Sequence, residues 1–156
     1  MMKEVGIVTM VEKRLSFLKA VPYLPQLFDK QLEIYTWIFR PMVFKKMMEF
    51  SRIVKNLADV STSFHKYGGL QFNVDNKEIG HMHGDGLVDI HLNKKLAQII
   101  ILLGLAEDHH VLKNSGWISF PLRRNQDLNI IVKIAHLGYA LRRGNDTGKL
   151  INGLFL

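Results

Sequence analysis

The sequence predicts an α+β protein, with N-terminal helices, an antiparallel sheet of about four strands and two helices packed on it. Three observations carry that reading. Apolar residues recur at helical spacing between residues 26 and 57. They alternate at strand spacing between 70 and 92, and again between 117 and 122. The helical period returns after Asn93 and after Asp127. At 156 residues the chain is long enough for one real core. A single domain spanning 1–156 is expected, with 1–25 and 144–156 peripheral.

The elements follow in order. Val11–Lys19 is compatible with a short helix before Pro22 and Pro25 interrupt it. From Gln26 to Arg40, Leu27, Ile34 and Ile38 form one stripe, and Phe28, Leu32, Tyr35 and Phe39 another. Pro41 suits the first turn of a second helix, to about Leu57, whose stripe is Phe44, Met47, Met48, Ile53, Val54 and Leu57. Such a Met/Phe stripe reads as core or as a dimer face. Ser61-Thr62-Ser63 ends the helical region, and Leu70–Leu92 reads as a three-stranded meander turned by Asp75-Asn76 and Gly84-Asp85-Gly86. Asn93 caps a helix in which Leu96, Ile99, Ile100 and Leu103 share a face. Ile101 and Leu102 widen that face, so this helix is expected to be well buried. Leu105–Gly116 reads as a loop and Trp117–Leu122 as a fourth strand. Arg123–Gln126 turns the chain, and Asp127 caps a last helix to about Arg143.

The chemistry concentrates in Glu78–Leu92, fifteen residues with three histidines, two aspartates, one glutamate and three glycines. Loop length decides which of these side chains meet. With a three-residue loop, His83 opposes Leu87, His81 opposes Asp89 and Ile79 opposes His91. His81, His83, Asp89 and His91 then share one face, and Met82, Val88, Ile90 and Leu92 form an apolar reverse. A two-residue loop would set His81 against Ile90 and mix the two sets. Register follows the buried face, so the three-residue loop is preferred.

Composition narrows the chemistry. There are no cysteines, which excludes disulfides and thiolate nucleophiles, so a metal site must be built from His, Asp and Glu. His81 and His83 project from one strand face as candidate metal ligands, with Asp89 or His91 to complete a site for a divalent metal such as Zn, Mn, Fe or Ni. The metal-free alternative makes His81, Asp89 and His110 the acid/base residues, with Glu78, His83, His109, Ser115 and Trp117 as ligand contacts. Of the adjacent His109 and His110, one at most is expected to face the site. Polar structural roles within the hairpin are the competing explanation for His81 and His83. Ser115 lacks a nucleophile-elbow context, and no flavin or nicotinamide motif is present. His65 and His136 read as ordinary surface or helix residues.

Net charge is +7 with a pI near 9.7, and residues 1–66 hold a Lys/Arg surplus of five against two in the remainder. Basic runs stop at two residues, which favours a solvated surface over nucleic-acid binding. No apolar stretch approaches the length of a membrane span, and a cytoplasmic protein is the expectation.

A family resemblance rests on an ordered set of motifs. Gly68-Gly69-Leu70-Gln71-Phe72, Glu78-Ile79-Gly80-His81-Met82-His83, Asp89, Ala106-Glu107-Asp108-His109-His110 and Ser115-Gly116-Trp117 resemble the bacterial branch of the luciferase-domain proteins, a family also found in fungi. The resemblance covers roughly Trp37 to Arg142. Gln71 stands where the family carries Glu, Lys113-Asn114 where it carries Pro-Asp, and Gly138 where it carries Ser before Tyr139. The family's name refers to light emission, which nothing in the residues themselves requires. The Trp-bearing strand followed by a helix ending near Tyr139 also looks like the small YjbR-like α+β fold, an analogy that carries no function.

The functional expectation is a member of the largely uncharacterised luciferase-domain family that binds a small ligand at a His/Asp pocket. Whether it is an enzyme is left open. The alternative is a protein-interaction module, including a homodimer, that uses the apolar helix 42–57. Nucleic-acid binding ranks third.

Overall fold

A computed structural model of the chain describes residues 23–123, 128–148 and 150–151. The short helix expected at Val11–Lys19, the Asp127 cap and residues 152–156 lie outside them. Two helices come first, α1 (Leu24–Phe39) and α2 (Pro41–Lys55), each with a proline in its first turn. Four strands follow: β1 (Val60–Phe64), β2 (Leu70–Val74), β3 (Lys77–Met82) and β4 (Leu87–His91). After α3 (Lys94–Leu102) come β5 (Glu107–Asp108), β6 (Trp117–Pro121) and α4 (Leu128–Arg143). The sheet order is β1-β2-β3-β4-β6-β5, and every pairing is antiparallel. The architecture is therefore α+β, with helices before and after the sheet.

The sheet has six strands rather than four, because an edge strand lies on each side of the expected set. β1 takes up the Ser61-Thr62-Ser63 stretch and pairs with β2 from Val60↔Val74 to Phe64↔Leu70. Its side chains are almost all exposed, so no apolar alternation marks it. β5 is two residues long, too short to show any period.

One sheet face is the core. Phe72, Val88, Ile90, Ile118 and Phe120 project there, against Val43, Met47, Phe50 and Val54 of α2 and Ile131, Ile134 and Leu137 of α4. The apolar side of α2 is thus spent on core packing, with Met42 and Met48 left exposed. α3 is less buried than its sequence suggests. Only Ala97 and Ile100 are buried, while Ile99, Leu102 and Leu103 face outward, because the helix lies at the β6 side of the sheet and meets the core along one narrow line. Asn93 caps α3 as expected, its Oδ1 accepting from Leu96 N at 3.0 Å. Asn93→Ala should cost about 1 kcal/mol, read as a lower urea midpoint with an unchanged slope.

α1 is turned the unexpected way. It buries Asp29, Leu32 and Thr36, while Leu27, Ile34, Tyr35, Trp37, Ile38 and Phe39 are exposed, Trp37 by 60% and Phe39 by 66%. Polar contacts fix this orientation. Gln26 Nε2 donates to the His65 carbonyl at 3.2 Å, and Gly84 N donates to Asp29 Oδ1 at 2.8 Å. Arg40 Nη1 donates to the Asp85 carbonyl at 3.2 Å. The helix is therefore anchored to the β1–β2 and β3–β4 loops, beside the histidine face.

Candidate functional site

The hairpin adopts the register that keeps its apolar residues together. His81 pairs with Asp89 and Met82 with Val88. His83 N donates to the Leu87 carbonyl at 2.8 Å and Gly86 N donates to the His83 carbonyl at 3.0 Å, which leaves Gly84-Asp85-Gly86 as a three-residue loop. Gly86 takes φ 89°, the left-handed position that closes loops of this length. His81, His83 and Asp89 therefore share the face opposite Met82, Val88 and Ile90.

One expected pairing is altered. The register shifts by a residue in β3, where Phe72 faces Gly80 but Asn73 faces Glu78. This bulge turns Ile79 into the core, away from the histidine side on which simple alternation would place it. It also brings Glu78 and His81, three residues apart in a strand, onto the same face. Glu78 Oε1 accepts from His81 Nδ1 at 2.7 Å.

Asp89 is the centre of the cluster. Its side chain is wholly buried, and its Oδ1 accepts a short hydrogen bond from the Ser119 hydroxyl on β6. Its Oδ2 faces His81 Nε2 at 3.3 Å, His83 Nε2 at 3.6 Å and His109 Nε2 at 3.8 Å, yet makes no hydrogen bond. His83 Nδ1 lies 3.4 Å from Asp29 Oδ1 on α1. The chain of contacts thus runs Glu78, His81, Asp89, His83, Asp29, and three elements of secondary structure, α1, β3 and β4, meet in it with the β3–β4 loop.

Burial and charge oppose each other here. Burial alone would lower the His83 pKa, but the Asp29 and Asp89 carboxylates outweigh it and push the ring up to about 10. His81 is raised in the same way, with Asp89 and Glu78 outweighing its burial. Burial would raise the Asp89 carboxyl, yet the two facing imidazoles hold it well below the usual carboxylate range. His65 goes the opposite way. Burial, then the neighbouring His81 charge, hold it down at about 4.

The remaining sequence candidates surround this chain. His109 is buried, and its Nδ1 accepts the backbone N–H groups of Val111 at 3.1 Å and Leu112 at 3.0 Å. His110 is half-buried, and its ring stacks on His109 at 4.6 Å between centroids; the adjacent rings lie together rather than splaying. His91 stacks on Trp117 at 4.5 Å, and Trp117 in turn stands 5.4 Å from the His81 ring and 6.0 Å from His109. Trp117 is therefore an aromatic wall on the polar face rather than part of the core. Ser115 Oγ donates to the Leu112 carbonyl and accepts from Trp117 N, which shapes the loop. His110→Ala should change stability by about 0.5 kcal/mol or less, seen as a nearly unchanged thermal midpoint.

Sequence reasoning missed three residues of the cluster. Asp29 sits on the i, i+3, i+7 stripe with Leu32 and Thr36, and an acidic residue on a buried stripe is the signal for it. Ser119 is the polar alternate of β6, in register with Asp89. His65, expected to be an ordinary surface or helix residue, is buried in the β1–β2 loop with its ring stacked on His81 at 3.9 Å and 8°. No local pattern announces it.

Comparison with known proteins agrees with the resemblance at the level of the family and does not address its bacterial branch. Residues 76–138 match the family model described as Luciferase domain. The match supports the luciferase-domain family for the segment from β3 into α4, which carries Glu78, His81, His83, Asp89, His109, Trp117 and Ser119. Asp29 and His65 lie outside the matched segment, so part of the cluster is supplied by residues before it. No curated protein and no solved structure matches the chain. No helix among the described residues is long and apolar enough to cross a membrane.

Proposed function

We propose that the protein binds a small ligand at the His/Asp cluster, with His81, His83, Asp89 and His109 at its centre and Trp117 as its aromatic wall. The observation that supports this is the burial of Asp29, His65, His81, His83, Asp89 and His109 at one place on the sheet face opposite the core. Buried ionisable groups cost on the order of several kcal/mol each unless well compensated, and the hydrophobic core needs none of them. The perturbed titrations of His65, His81, His83 and Asp89, gathered in one place, are a mark of functional sites. His81, held between Glu78 and Asp89, is the group placed to move a proton on a bound ligand.

The test is a thermal-shift panel of small carboxylic acids, phenols and phosphate esters on the wild-type chain and on His109→Gln. The reading expects at least one compound to raise the wild-type midpoint and to lose that effect in the variant. A panel without any shift, or with equal shifts in both proteins, would contradict it.

The exposed apolar residues of α1 favour a second reading, an interaction module. The partner surface then lies on Leu27–Phe39 rather than on helix 42–57, whose stripe is largely buried. A second copy of the chain is the simplest partner, and light scattering on the wild type and Trp37→Ser decides the point. A dimer that the substitution dissociates supports this reading, and a monomer at all concentrations removes it.

A further inference from the structure

We infer that His81 Nε2, His83 Nε2 and Asp89 Oδ2 are the protein ligands of one divalent transition-metal ion. This rests on the reading that the His/Asp cluster is the ligand site, and it names the first occupant of that site.

The distances distinguish a metal centre from a set of hydrogen-bonded pairs. Charge-assisted N–H···O bonds close to about 2.7–2.9 Å. The two Nε2–Oδ2 separations are 3.3 and 3.6 Å, and His81, His83 and Asp89 each offer a ligand atom within 4.8 Å of the others. Donors that share an ion at about 2.0–2.2 Å stand roughly 3.0–3.6 Å apart, according to coordination geometry. The observed spacing is that of neighbouring ligands rather than of hydrogen-bonded groups.

The two oxygens of Asp89 support the same conclusion. Oδ1 takes the Ser119 hydroxyl, which fixes the plane of the carboxylate. Oδ2 is buried, has no hydrogen bond and is aimed between the two imidazoles. A buried carboxylate oxygen left in that condition is costly, and a cation at the centre satisfies it.

The outer groups complete the arrangement. Glu78 accepts a hydrogen bond from Nδ1–H of His81, and Asp29 faces Nδ1 of His83. The Glu78 bond selects the His81 tautomer that leaves the Nε2 lone pair toward the centre, the usual support for a metal-bound histidine. The Asp29 carboxylate, 3.4 Å from Nδ1 of His83, favours the same tautomer there by its charge. His109 differs. Its Nδ1 accepts two backbone N–H groups, so its neutral ring carries the proton on Nε2, the atom that faces Asp89. It is a hydrogen-bond donor at the rim of the centre, placed to hold a ligand bound in an open coordination position.

A second grouping, His65 with Glu78 and His81, also brings its donor atoms within reach. The parallel stack of the His65 and His81 rings argues against it, because imidazole lone pairs lie in the ring plane and those of stacked rings lie in separate parallel planes that do not converge on one ion. Glu78 is already occupied by the His81 proton. His91 is engaged with Trp117.

Two imidazoles and one carboxylate, with no thiolate in the chain, suit Zn²⁺, Fe²⁺ or Mn²⁺. Ca²⁺ and Mg²⁺ prefer all-oxygen shells and fit poorly.

The full chain, stripped with a chelator, is titrated calorimetrically with Zn²⁺, with Mn²⁺ and, without oxygen, with Fe²⁺. At least one ion should bind with one equivalent per chain and release protons. Glu78→Gln should weaken that binding about 10–100-fold, the effect typical of a lost outer carboxylate. His109→Ala should change it by only a few-fold, while His83→Ala and Asp89→Asn should lose it. If no ion binds yet a compound of the panel still stabilises the chain, the metal assignment falls and the ligand site stands. If neither ion nor compound has any effect, both fall. Full metal binding by folded Asp89→Asn, or its loss in folded His109→Ala, would overturn the ligand set.

Discussion

Asp89→Asn should lower the stability of the metal-free protein by about 3–5 kcal/mol, the range for removing one partner from a buried ionic group. The thermal midpoint should fall by about 6 °C or more. The substitution keeps the volume, so the loss comes from charge. His81 and His83 are left facing a neutral amide, and Ser119 loses its charged acceptor. The pH dependence carries the same signature. The folded pKa of His83 is raised, so its contribution is fully present below pH 6.5 and is lost as pH rises toward about 10. Asp89 is shifted downward, so its contribution is present above the ordinary aspartate pKa and is lost on acidification. The metal-free wild type should therefore lose stability between pH 6.5 and 10 in urea titrations. Asp89→Asn should flatten that fall, leaving the part that Asp29 sustains. A bound metal should also flatten it, since the ion replaces the protons. Equal stability of wild type and Asp89→Asn across this range would show that the carboxylate is not coupled to the histidines.

Gly84→Ala should be the second severe change. A Cβ at residue 84 would stand 2.2 Å from the Asp29 carbonyl oxygen and 2.6 Å from Glu33 N, both backbone atoms of α1. Neither can move without moving the helix. Overpacking of this kind costs about 1–3 kcal/mol. The functional consequence is specific, because the displaced helix carries Asp29 away from the Gly84 amide and from His83 Nδ1. Chemical denaturation should show the stability loss, and calorimetry should show metal affinity weakened about tenfold or more, as for a lost outer-sphere carboxylate. Unchanged stability would mean that α1 does not rest on the hairpin loop. A stability loss with unchanged affinity would mean that Asp29 does not orient His83.

How much of this was legible in the sequence depended on the kind of signal each residue carries. The pairing of His81 with Asp89 could be read because polar and apolar residues separate cleanly in Met82–Ile90, and one register keeps them apart. The helices read well wherever their apolar stripe faces the core, as in α2 and α4. α1 defeated the same rule. Its long-range partners are loop amides and carbonyls, so its buried stripe is Asp29, Leu32 and Thr36 and its apolar side points outward. Ile79 was misplaced because a bulge is a tertiary adjustment that strict alternation cannot foresee. His65 was hidden for another reason. It reaches His81 only through the pairing of β1 with β2, and β1 has no apolar period. The centre of the site was thus written in one hairpin, while Asp29 and His65, at its edges, depend on how distant segments dock.

The most direct measurement is the long-range ¹H–¹⁵N spectrum of the imidazole rings, recorded on the full chain before and after one equivalent of the ion that binds in calorimetry, with Zn²⁺ as the diamagnetic probe. The account predicts that Nε2 of His81 and of His83 move together to the position of metal-bound nitrogen, with protons retained on both Nδ1 atoms. His109 should keep its proton on Nε2 throughout. Metal shifts at His91 or His110 instead, or His81 and His83 unchanged at full occupancy, would contradict it.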